Sequence, residues 1–375
     1  MKKVISVFIA FCMAFILVQK ISAEGDFYTS AASAILINAD TGTVLYAKNE
    51  NEQRAIASTT KILTALITLE SGDLDTQFVV DSNAIKVEGT SMGLREGDIV
   101  TRRDLCYGML LPSGNDAANA AAVNIAGSLS AFADLMNKKA QALGMTSSHF
   151  VTPSGLDAEG HYSTARDMAI LTMAALENED FAEICRLANA KRCFGNPPYE
   201  RWLSNSNKLL WNYEGCIGVK TGFTDNARRC LVSAAKRDGV RLIAVTLNAP
   251  NDWSDHKKML DYGFSVVKNH SIDVDLSGLC VPVISDIESS MTVVPETAIE
   301  IAVTDEELSR IETRITIEPF IYSGFERGTK AGKIDLILDG RVLKTVLLVT
   351  SEGCNQTAEP LNFLDGIIQF FKKLF

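Results

Sequence analysis

The sequence predicts an α+β protein: one antiparallel sheet packed against a cluster of helices, then a small all-β domain and an amphipathic C-terminal helix. Three observations support this fold class. Strand-like runs lie at both ends of the first domain, residues 24–272, and helical runs lie between them. The next domain, residues 276–358, alternates apolar and polar side chains in places, as strands do. Residues 359–375 repeat apolar side chains at the helical period.

The N-terminal segment, residues 1–23, is typical of a secretory signal peptide. Lys2 and Lys3 precede an apolar run from Val4 to Val18, and Ala23 offers a small residue for cleavage. We therefore expect an exported, extracytoplasmic protein. The alternative is an uncleaved N-terminal anchor, which the shortness of the apolar run disfavours.

Apolar periodicity predicts the elements of the first domain in order. Two strand-like runs, 32–37 and 43–48, flank a turn and predict a hairpin. The chain from Ser58 to about Asn207 is predicted to be mostly helical, with helices at 130–143, 164–176 and 180–190. Strands are predicted again at 216–222, 230–234 and 240–247. Strands from both ends of one domain pair most economically in a single antiparallel sheet.

The second domain and the tail have patterns of their own. Asp339-Gly340 separates two strand-like runs and is a strong hairpin signal. In the tail, Leu361–Phe375, nine apolar side chains fill one half of the helical wheel, and Lys372 and Lys373 lie on the other half. The helix is too short to span a bilayer, so we expect peripheral attachment to the outer face of the cytoplasmic membrane. The alternative is a helix docked on its own β domain.

Charge and cysteine usage exclude several classes of function. The formal net charge of −10 argues against a general nucleic-acid-binding protein, which needs basic patches. Removal of the signal leaves seven cysteines without a Cys-x-x-Cys pair, so no disulfide framework is expected, although one bridge is compatible with the sequence. Cys106 and Cys185 fall on apolar helical stretches and are interpreted as core residues. The four histidines form no metal-ligand motif, which disfavours a zinc hydrolase.

Ser58 and Lys61 are the first candidate catalytic pair. They lie three residues apart at the start of an apolar helical run, so both side chains share one face. A serine becomes a nucleophile when a neighbouring base removes its proton, and an unprotonated lysine can do so. Ser-x-x-Lys alone is weak support, because serine is common at helix N-termini.

Two further short motifs follow along the chain. Ser113-Gly114-Asn115 comes after an apolar helical run that Pro112 interrupts, which places it on a loop between helices. Lys220-Thr221-Gly222 ends an apolar strand. Each motif is common by itself. In this order, on helix, loop and strand, the three motifs match the Ser-x-x-Lys, Ser-x-Asn and Lys-Thr-Gly set of penicillin-recognising enzymes.

The sequence resembles the low-molecular-mass penicillin-binding proteins that are serine-type D-Ala-D-Ala carboxypeptidases. The resemblance covers nearly the whole chain: the signal peptide, the three motifs, the β domain and the tail. Two more segments carry it, Ser154–Leu156 and His161–Met168. It implies a penicillin-binding, β-lactamase-like transpeptidase domain, in which His161 belongs to a structural segment and is not a catalytic base.

The resemblance implies acyl transfer in two steps, with no metal and no organic cofactor. Ser58 would attack the carbonyl between the two terminal D-alanines of a peptidoglycan stem pentapeptide, with Lys61 as general base. Ser113 would pass a proton to the leaving D-alanine nitrogen, and water would then release the shortened peptide. β-Lactam antibiotics such as penicillin mimic the D-Ala-D-Ala unit and would leave a slowly hydrolysed ester on Ser58.

The resemblance also assigns the groups that bind substrate. These are Asn115, Lys220, Thr221 and Gly222. Asn115 would orient Lys61 and the substrate amide, while Lys220 would help to keep Lys61 neutral and attract the terminal carboxylate, to which Thr221 would donate a hydrogen bond. The backbone N–H groups of Ser58 and Phe223 would form the oxyanion hole.

Two features depart from the family pattern. Arg228 stands where a glycine is expected in relatives, within the turn that leads into the next strand. The family pattern also includes an arginine that binds the substrate carboxylate together with Lys220 and Thr221, and no such arginine is evident in this sequence.

Three alternatives accompany the carboxypeptidase hypothesis. A class A β-lactamase shares the three motifs but needs a deacylating glutamate, and Glu200–Asn205 has the wrong spacing for it. A catalytically silent peptidoglycan-binding or penicillin-binding module is disfavoured because the reactive side chains are intact. Endopeptidase or transpeptidase activity on crosslinked stems stays open within the enzyme hypothesis.

Overall fold

The computed structural model describes residues 28–284 and 290–354. The predicted signal peptide and the predicted C-terminal helix lie outside these described residues. Long-range contacts divide the chain into two compact units. One comprises Met1–Ala235 and Ile243–Leu260, and the other comprises Lys236–Leu242 and Asp261–Phe375. Among the described helices, none combines the length and apolar character that a membrane span requires.

The main sheet is built from strands at both ends of the first domain. In chain order the first strands are β1 (Ser33–Asn38), β2 (Val44–Lys48), β3 (Phe78–Val79), β4 (Ile99–Val100), β5 (Asn189–Gly195), β6 (Pro198–Ser204), β7 (Cys216–Thr224), β8 (Arg228–Arg237) and β9 (Val240–Leu247). The sheet has the order β2-β1-β9-β8-β7, and β1–β2 and β7–β8 pair antiparallel. The predicted shared sheet is present. Strand β7, which carries the Lys-Thr-Gly motif, lies at its edge.

Helices occupy the sequence between these strands and directly after β9. They are α1 (Lys61–Glu70), α2 (Arg102–Leu110), α3 (Asn115–Ala126), α4 (Leu129–Ala142), α5 (Ala165–Leu176), α6 (Glu179–Cys185), α7 (Leu209–Asn212) and α8 (Asp252–Val266). Thr101, Ser128 and Thr164 begin α2, α4 and α5, where each side chain accepts a backbone N–H. The predicted helices at 130–143 and 164–176 agree with α4 and α5 within one residue at each end.

Helix α1 lies at the centre of the hydrophobic core. Ile62, Leu63 and Leu66 expose at most 1 % of their surface, and the helix packs against α2, α3 and α5. Lys61, its first residue, has no exposed surface at all. A helix that is apolar on nearly every side therefore carries one lysine out of contact with water.

Residues 189–204 differ from the prediction. The sequence predicted a helix through Ala190, but α6 ends at Cys185, and β5 and β6 then form an antiparallel hairpin. Pro197 and Pro198 stand at its turn. One of the inward positions of β6 is occupied by Arg201, which is 8 % exposed. Because an arginine replaces an apolar side chain there, the strand period of two is hard to see in the sequence.

The second unit is rich in β structure, as predicted. Its strands are β10 (Val267–Ser271), β11 (Cys280–Ile284), β12 (Ser290–Pro295), β13 (Glu300–Thr304), β14 (Ile311–Ile317), β15 (Ile321–Tyr322), β16 (Lys330–Leu338) and β17 (Arg341–Thr350). Six of them form a sheet of order β14-β16-β17-β12-β11-β15. Asp339 and Gly340 both have positive φ in the predicted β16–β17 turn. The one-turn helix α9 (Asp305–Leu308) and the parallel β11–β15 pair were not predicted.

Arg228 adopts a conformation that suits glycine. It opens β8 with a φ of 58°, opposite Thr224 at the end of β7. A left-handed conformation costs an L-residue roughly 1–2 kcal/mol, because Cβ approaches the following carbonyl oxygen. The glycine expected at this position in relatives would avoid that cost. Arg228 therefore introduces local strain at the start of β8.

Replacement of Arg228 by glycine should therefore stabilise the protein. We expect Arg228→Gly to raise the free energy of unfolding by about 1 kcal/mol, measured by urea denaturation. The matched control is Lys236→Gly, an exposed position of the same strand without a positive φ, where glycine should lower stability. If Arg228→Gly were also destabilising, the strain argument would be wrong.

Candidate active site

Ser58 lies in a tight 3-10 turn, Ala57–Thr60, that leads directly into α1. Lys61 opens the helix, and helical side chains point back toward the N-terminus, so its amine returns over this turn. Lys61 Nζ lies 2.8 Å from Ser58 Oγ. The structure thus brings the first predicted pair into direct contact.

Two acceptors occupy the other directions around the Lys61 amine. Nζ donates to Asn115 Oδ1 at 2.7 Å and to the main-chain oxygen of Ser154 at 2.6 Å. The Asn115 amide is held in this orientation, because its Nδ2 donates to the main-chain oxygen of Glu88 at 2.7 Å. Neither acceptor can donate, so both N–H bonds of a neutral amine point at them. The lone pair that remains faces the Ser58 hydroxyl, as a general base requires.

Burial favours the neutral form of this amine. Desolvation lowers the pKa of Lys61 well below the usual lysine value, and the positive charge of Lys220 lowers it further. The carboxylate of Asp116 opposes both effects. Burial and the charge of Lys220 therefore favour an unprotonated Lys61 amine that can accept a proton.

Ser113 and Lys220 form the second hydroxyl–amine pair. Ser113 lies on the loop between α2 and α3 with a left-handed φ of 69°. Lys220 Nζ donates to Ser113 Oγ at 2.9 Å and to the main-chain oxygen of Thr221 at 2.9 Å. Lys220 is 1 % exposed, and burial lowers its pKa to about 7. Because Ser113 Oγ accepts from Lys220, its own proton can be directed into the cleft.

Strand β7 approaches the Ser58 turn so closely that a side chain at Gly222 would be tightly crowded. A Cβ on Gly222 would lie 3.0 Å from the main-chain oxygen of Ile56 and 3.1 Å from Ser58 N. The main chain that continues to Phe223 therefore passes beside the Ser58 N–H group. Ala57 has a φ of 48°, which is uncommon for alanine, so the turn that presents Ser58 is strained.

A buried carboxylate holds one wall of the site. Asp116 accepts the backbone N–H groups of Met92, Gly93 and Leu94 at distances of 2.9, 3.1 and 3.0 Å and the hydroxyl of Ser91 at 2.6 Å. This loop would otherwise have unsatisfied donors, and it connects to the wall residues Gly89 and Thr90. Sequence reasoning gave Asp116 no separate role, because the partners of a carboxylate are not visible in a short motif.

Most of the predicted site residues line one cleft of about 420 Å³, whereas Lys61 and Lys220 are buried and contact the lining residues Ser58 and Ser113. Ser58, Ser113, Asn115, Thr221 and Gly222 all reach its surface. The hydroxyls of Ser58 and Ser113, each in contact with a lysine amine, thus converge on a cleft whose volume suits the end of a peptide.

Arg229 is a cleft residue that sequence reasoning missed. It lies on β8 opposite Phe223 of β7 and lines the cleft with Lys208 and Trp253. Its Nε and Nη2 donate to Asp252 Oδ1 at 3.0 and 2.8 Å. A guanidinium has five N–H groups, so three stay available to a ligand. Only the β7–β8 register, which the sequence does not show, places this arginine beside the Lys-Thr-Gly strand.

His161 is buried and holds neighbouring segments together through hydrogen bonds. Its Nε2 lies 2.9 Å from Thr60 Oγ1, and its Nδ1 accepts the Val151 N–H at 3.0 Å. Burial lowers the pKa of His161 to about 4, so the ring is neutral at neutral pH. The histidine connects the residue before α1 to a neighbouring loop, in accordance with the role assigned from sequence.

In the described ranges, 28–284 and 290–354, no group of three or more His, Cys, Asp or Glu side chains could hold a metal ion. The seven cysteines there form no disulfide. Cys106 and Cys185 are fully buried, which confirms their interpretation as core residues.

Comparison with protein families covers both units. Residues 19–251 match the family model of peptidase S11, D-alanyl-D-alanine carboxypeptidase. The chain belongs to the peptidase S11 family. Residues 278–356 match the C-terminal domain of penicillin-binding protein 5. The predicted family is confirmed: the chain is a low-molecular-mass penicillin-binding protein.

Individual relatives agree with this assignment. The D-alanyl-D-alanine carboxypeptidase DacF of Bacillus subtilis is 33% identical over 92% of this chain and 88% of its own length. DacC of Escherichia coli is 30% identical over 87% of this chain and 84% of its own length. Among solved structures, DacD of Francisella tularensis superposes with a TM-score of 0.63 at 27% identity and covers 88% of this chain and 95% of its own. The DD-transpeptidase of Streptomyces K15 has a TM-score of 0.61 at 32% identity and covers 64% of this chain and 99% of its own.

The S11 protein is accordingly a serine-type D-Ala-D-Ala carboxypeptidase, as the sequence predicted. Its transpeptidase-like α+β domain resembles the Streptomyces enzyme, and a β-rich domain follows it. Peptide substrates and penicillin binding follow from membership of this family.

The charge of Lys220 should determine the alkaline limb of the pH profile. Lys220, with a pKa of about 7, loses its charge as the pH rises, so kcat/KM for a substrate with a free carboxylate should fall above neutral pH. Arginine stays protonated over this range, so Lys220→Arg should lose that limb even if its maximal rate is lower. D-Alanine release measured from about pH 5 to pH 10 tests this.

The control for the pH profile is Lys208→Arg, which changes a lysine at the rim of the same cleft. Its alkaline limb should match that of the wild type. If Lys220→Arg kept the wild-type limb, another group would be responsible for it.

Proposed function

We propose that this carboxypeptidase removes the terminal D-alanine from peptidoglycan stem pentapeptides through an acyl-enzyme on Ser58. One observation carries the proposal. Lys61 Nζ lies 2.8 Å from Ser58 Oγ, while its other two directions are occupied by Asn115 Oδ1 and the Ser154 carbonyl. In the free enzyme the lone pair of the amine is therefore directed at the Ser58 hydroxyl.

Acylation begins when Ser58 Oγ attacks the carbonyl carbon between the two D-alanines. Lys61 accepts the hydroxyl proton and becomes an ammonium group, whose three N–H bonds are then all directed at acceptors. The carbonyl oxygen becomes an oxyanion between the N–H groups of Ser58 and Phe223, which the close approach of Gly222 supports. Negative charge is thus stabilised where it forms.

The leaving nitrogen must gain a proton before the C–N bond breaks. The Ser113 hydroxyl supplies it and is held for this purpose by Lys220 Nζ at 2.9 Å. Lys61 then returns a proton to Ser113, which leaves Lys61 neutral. In deacylation a water molecule gives a proton to Lys61 and attacks the ester carbon. Lys61 then passes that proton to Ser58 Oγ as the ester bond breaks, which releases the shortened peptide and restores the free enzyme.

Recognition of the substrate carboxylate involves Lys220, Thr221 and Arg229. Lys220 supplies positive charge beside the lining residue Ser113, and Thr221 lines the cleft itself. Arg229 lines the same cleft with three N–H groups not directed at Asp252. It is the arginine that sequence analysis did not identify, and charge-assisted pairing with a carboxylate suits its planar group.

The same chemistry accounts for inhibition by β-lactam antibiotics. Their strained amide takes the position of the D-Ala-D-Ala bond and acylates Ser58. The amine stays in the same molecule after the ring opens, so it remains near the ester. Attack by water is therefore slower than on the natural acyl-enzyme.

The proposed place of action is outside the cytoplasm. The N-terminal pattern of residues 1–23 supports export, and the amphipathic pattern of Leu361–Phe375 supports peripheral attachment to the outer face of the cytoplasmic membrane. Peptidoglycan stem peptides are found on that side, where this enzyme would meet them.

Ser58→Ala tests the acyl-enzyme. The variant should lose fluorescent-penicillin labelling and should lower D-alanine release from diacetyl-Lys-D-Ala-D-Ala by at least about a thousandfold. Ser130→Ala is the matched control, because Ser130 is exposed on α4 and does not line the cleft, so this variant should keep both activities. Ser58-independent labelling would refute the nucleophile assignment.

The same assays distinguish the alternative activities. Labelling of the wild type without D-alanine release would indicate a binding module. Rapid turnover of penicillin would indicate a β-lactamase. Preferred cleavage of a crosslinked stem dimer over the tripeptide would indicate an endopeptidase.

Arg229→Gln tests the carboxylate contact. Loss of a charge-assisted hydrogen bond should raise KM for diacetyl-Lys-D-Ala-D-Ala about tenfold or more and change kcat less. Arg229→Lys should recover part of the loss, because it restores the charge. Lys208→Gln removes a charge from the same cleft and controls for general electrostatics. An equal loss with a substrate whose terminal carboxylate is amidated would contradict the contact.

A further inference from the structure

The second unit has an exposed apolar cluster at one edge of its sheet. Ile284, Phe320 and Tyr322 expose 50, 45 and 68 % of their surface. Ile284 and Tyr322 are neighbours in the parallel β11–β15 pairing, and the rings of Phe320 and Tyr322 meet edge to face with centroids 5.4 Å apart. We refer to these three residues as the edge patch. Contiguous exposed apolar side chains of this kind mark interaction surfaces.

The chain leaves the described structure close to the edge patch. Phe325 forms an antiparallel bridge with Cys354, the last described residue. Tyr322 precedes Phe325 by three residues, a distance of about 10 Å in extended chain. Leu361 follows Cys354 by seven residues, at most about 25 Å. The start of the amphipathic tail, Leu361–Phe375, is therefore within reach of the edge patch.

We propose that the edge patch inserts into the same lipid surface as the tail. The protein would then meet the membrane through two apolar surfaces that are separate in sequence. This inference rests on the proposed peripheral attachment of the tail. It adds a second membrane contact, which is made by the folded β-rich unit and is independent of the tail residues.

The chemistry of the edge patch suits a lipid interface. Tyrosine, like tryptophan, is enriched at the headgroup level, where its ring is shielded and its hydroxyl stays hydrated. Strand β15 ends the sheet order in the described part of this unit and is only two residues long, so it offers little backbone for an added protein strand. A lipid surface needs no such backbone pairing.

The tail itself is a less suitable occupant. Its nine apolar side chains cover half of a fifteen-residue helical wheel. Three side chains at the end of a sheet cannot cover a surface of that length, so most of the apolar face of a docked tail would stay in water. Lipid can cover both surfaces at once.

Vesicle binding of the full mature chain tests the proposal. The probe is a vesicle of phosphatidylglycerol and phosphatidylethanolamine, and the readout is co-sedimentation. The double variant Phe320→Ser with Tyr322→Ser should lower the partition coefficient about tenfold, because two partly buried aromatic side chains are lost. Penicillin labelling should be unchanged, which shows that the enzyme is folded.

The matched control is Val342→Ser. Val342 is 42 % exposed on β17 of the same sheet, but it lies beside the Asp339-Gly340 turn. We expect wild-type binding. If the double variant bound as tightly as Val342→Ser and the wild type, the edge patch would not be a membrane contact.

A tail variant separates the two contacts. Phe370→Ser with Phe371→Ser should also weaken binding, and the combined four-residue variant should bind more weakly than either double variant. Loss in the tail variant alone would overturn the edge patch and keep the tail attachment. Wild-type binding in every variant, or no binding by the wild type, would overturn both.

Fluorescence identifies what covers the edge patch. Tyr322→Trp should add an indole signal that brominated lipid quenches in vesicles, measured against the three native tryptophans of the unsubstituted chain. If the tail covered the patch, brominated lipid would leave that signal unchanged. The signal would then shift to the red without vesicles when Phe370 and Phe371 are replaced by serine.

Discussion

The structure depends on a lysine that has acceptors on all sides and no contact with water. Lys61 is fully buried, and its amine contacts Ser58, Asn115 and the Ser154 carbonyl at 2.6–2.8 Å. Removing an ammonium group from water is costly, so the neutral form is favoured. The cost is tolerable because each N–H bond of the neutral amine has an acceptor. Burial and hydrogen bonding thus create the base and direct it at one hydroxyl.

The surrounding fold serves this arrangement. Helix α1 must be in the core for Lys61 to lose its water, and apolar neighbours such as Leu63 and Leu66 place it there. Strand β7 brings Lys220, whose charge lowers the pKa of Lys61 further, and Gly222 allows the strand to touch the Ser58 turn. Core packing, the position of β7 and the charge of Lys220 therefore all determine the state of the Lys61 amine beside Ser58.

Much of this could be predicted from the sequence, because several signals are local. The spacing of Ser58 and Lys61 determines a shared helix face, and Asp339-Gly340 specifies a hairpin turn wherever strands flank it. Contacts between distant segments were harder. Arg229 reaches the cleft only through the β7–β8 register, and the contacts of Asp116 require a loop more than twenty residues earlier. The β5–β6 hairpin was missed because Arg201 occupies a position that apolar residues normally fill.

The edge position of β7 has a stereochemical consequence. Its outer side faces no other strand of the described sheet, so an extended peptide can lie along it and continue the ladder of backbone hydrogen bonds. In such a ladder, a D-residue exchanges the positions that the side chain and the Cα hydrogen take in an L-residue on the same backbone path. Because Gly222 packs against the Ser58 turn, the methyl groups of the two hands would meet different parts of the cleft wall.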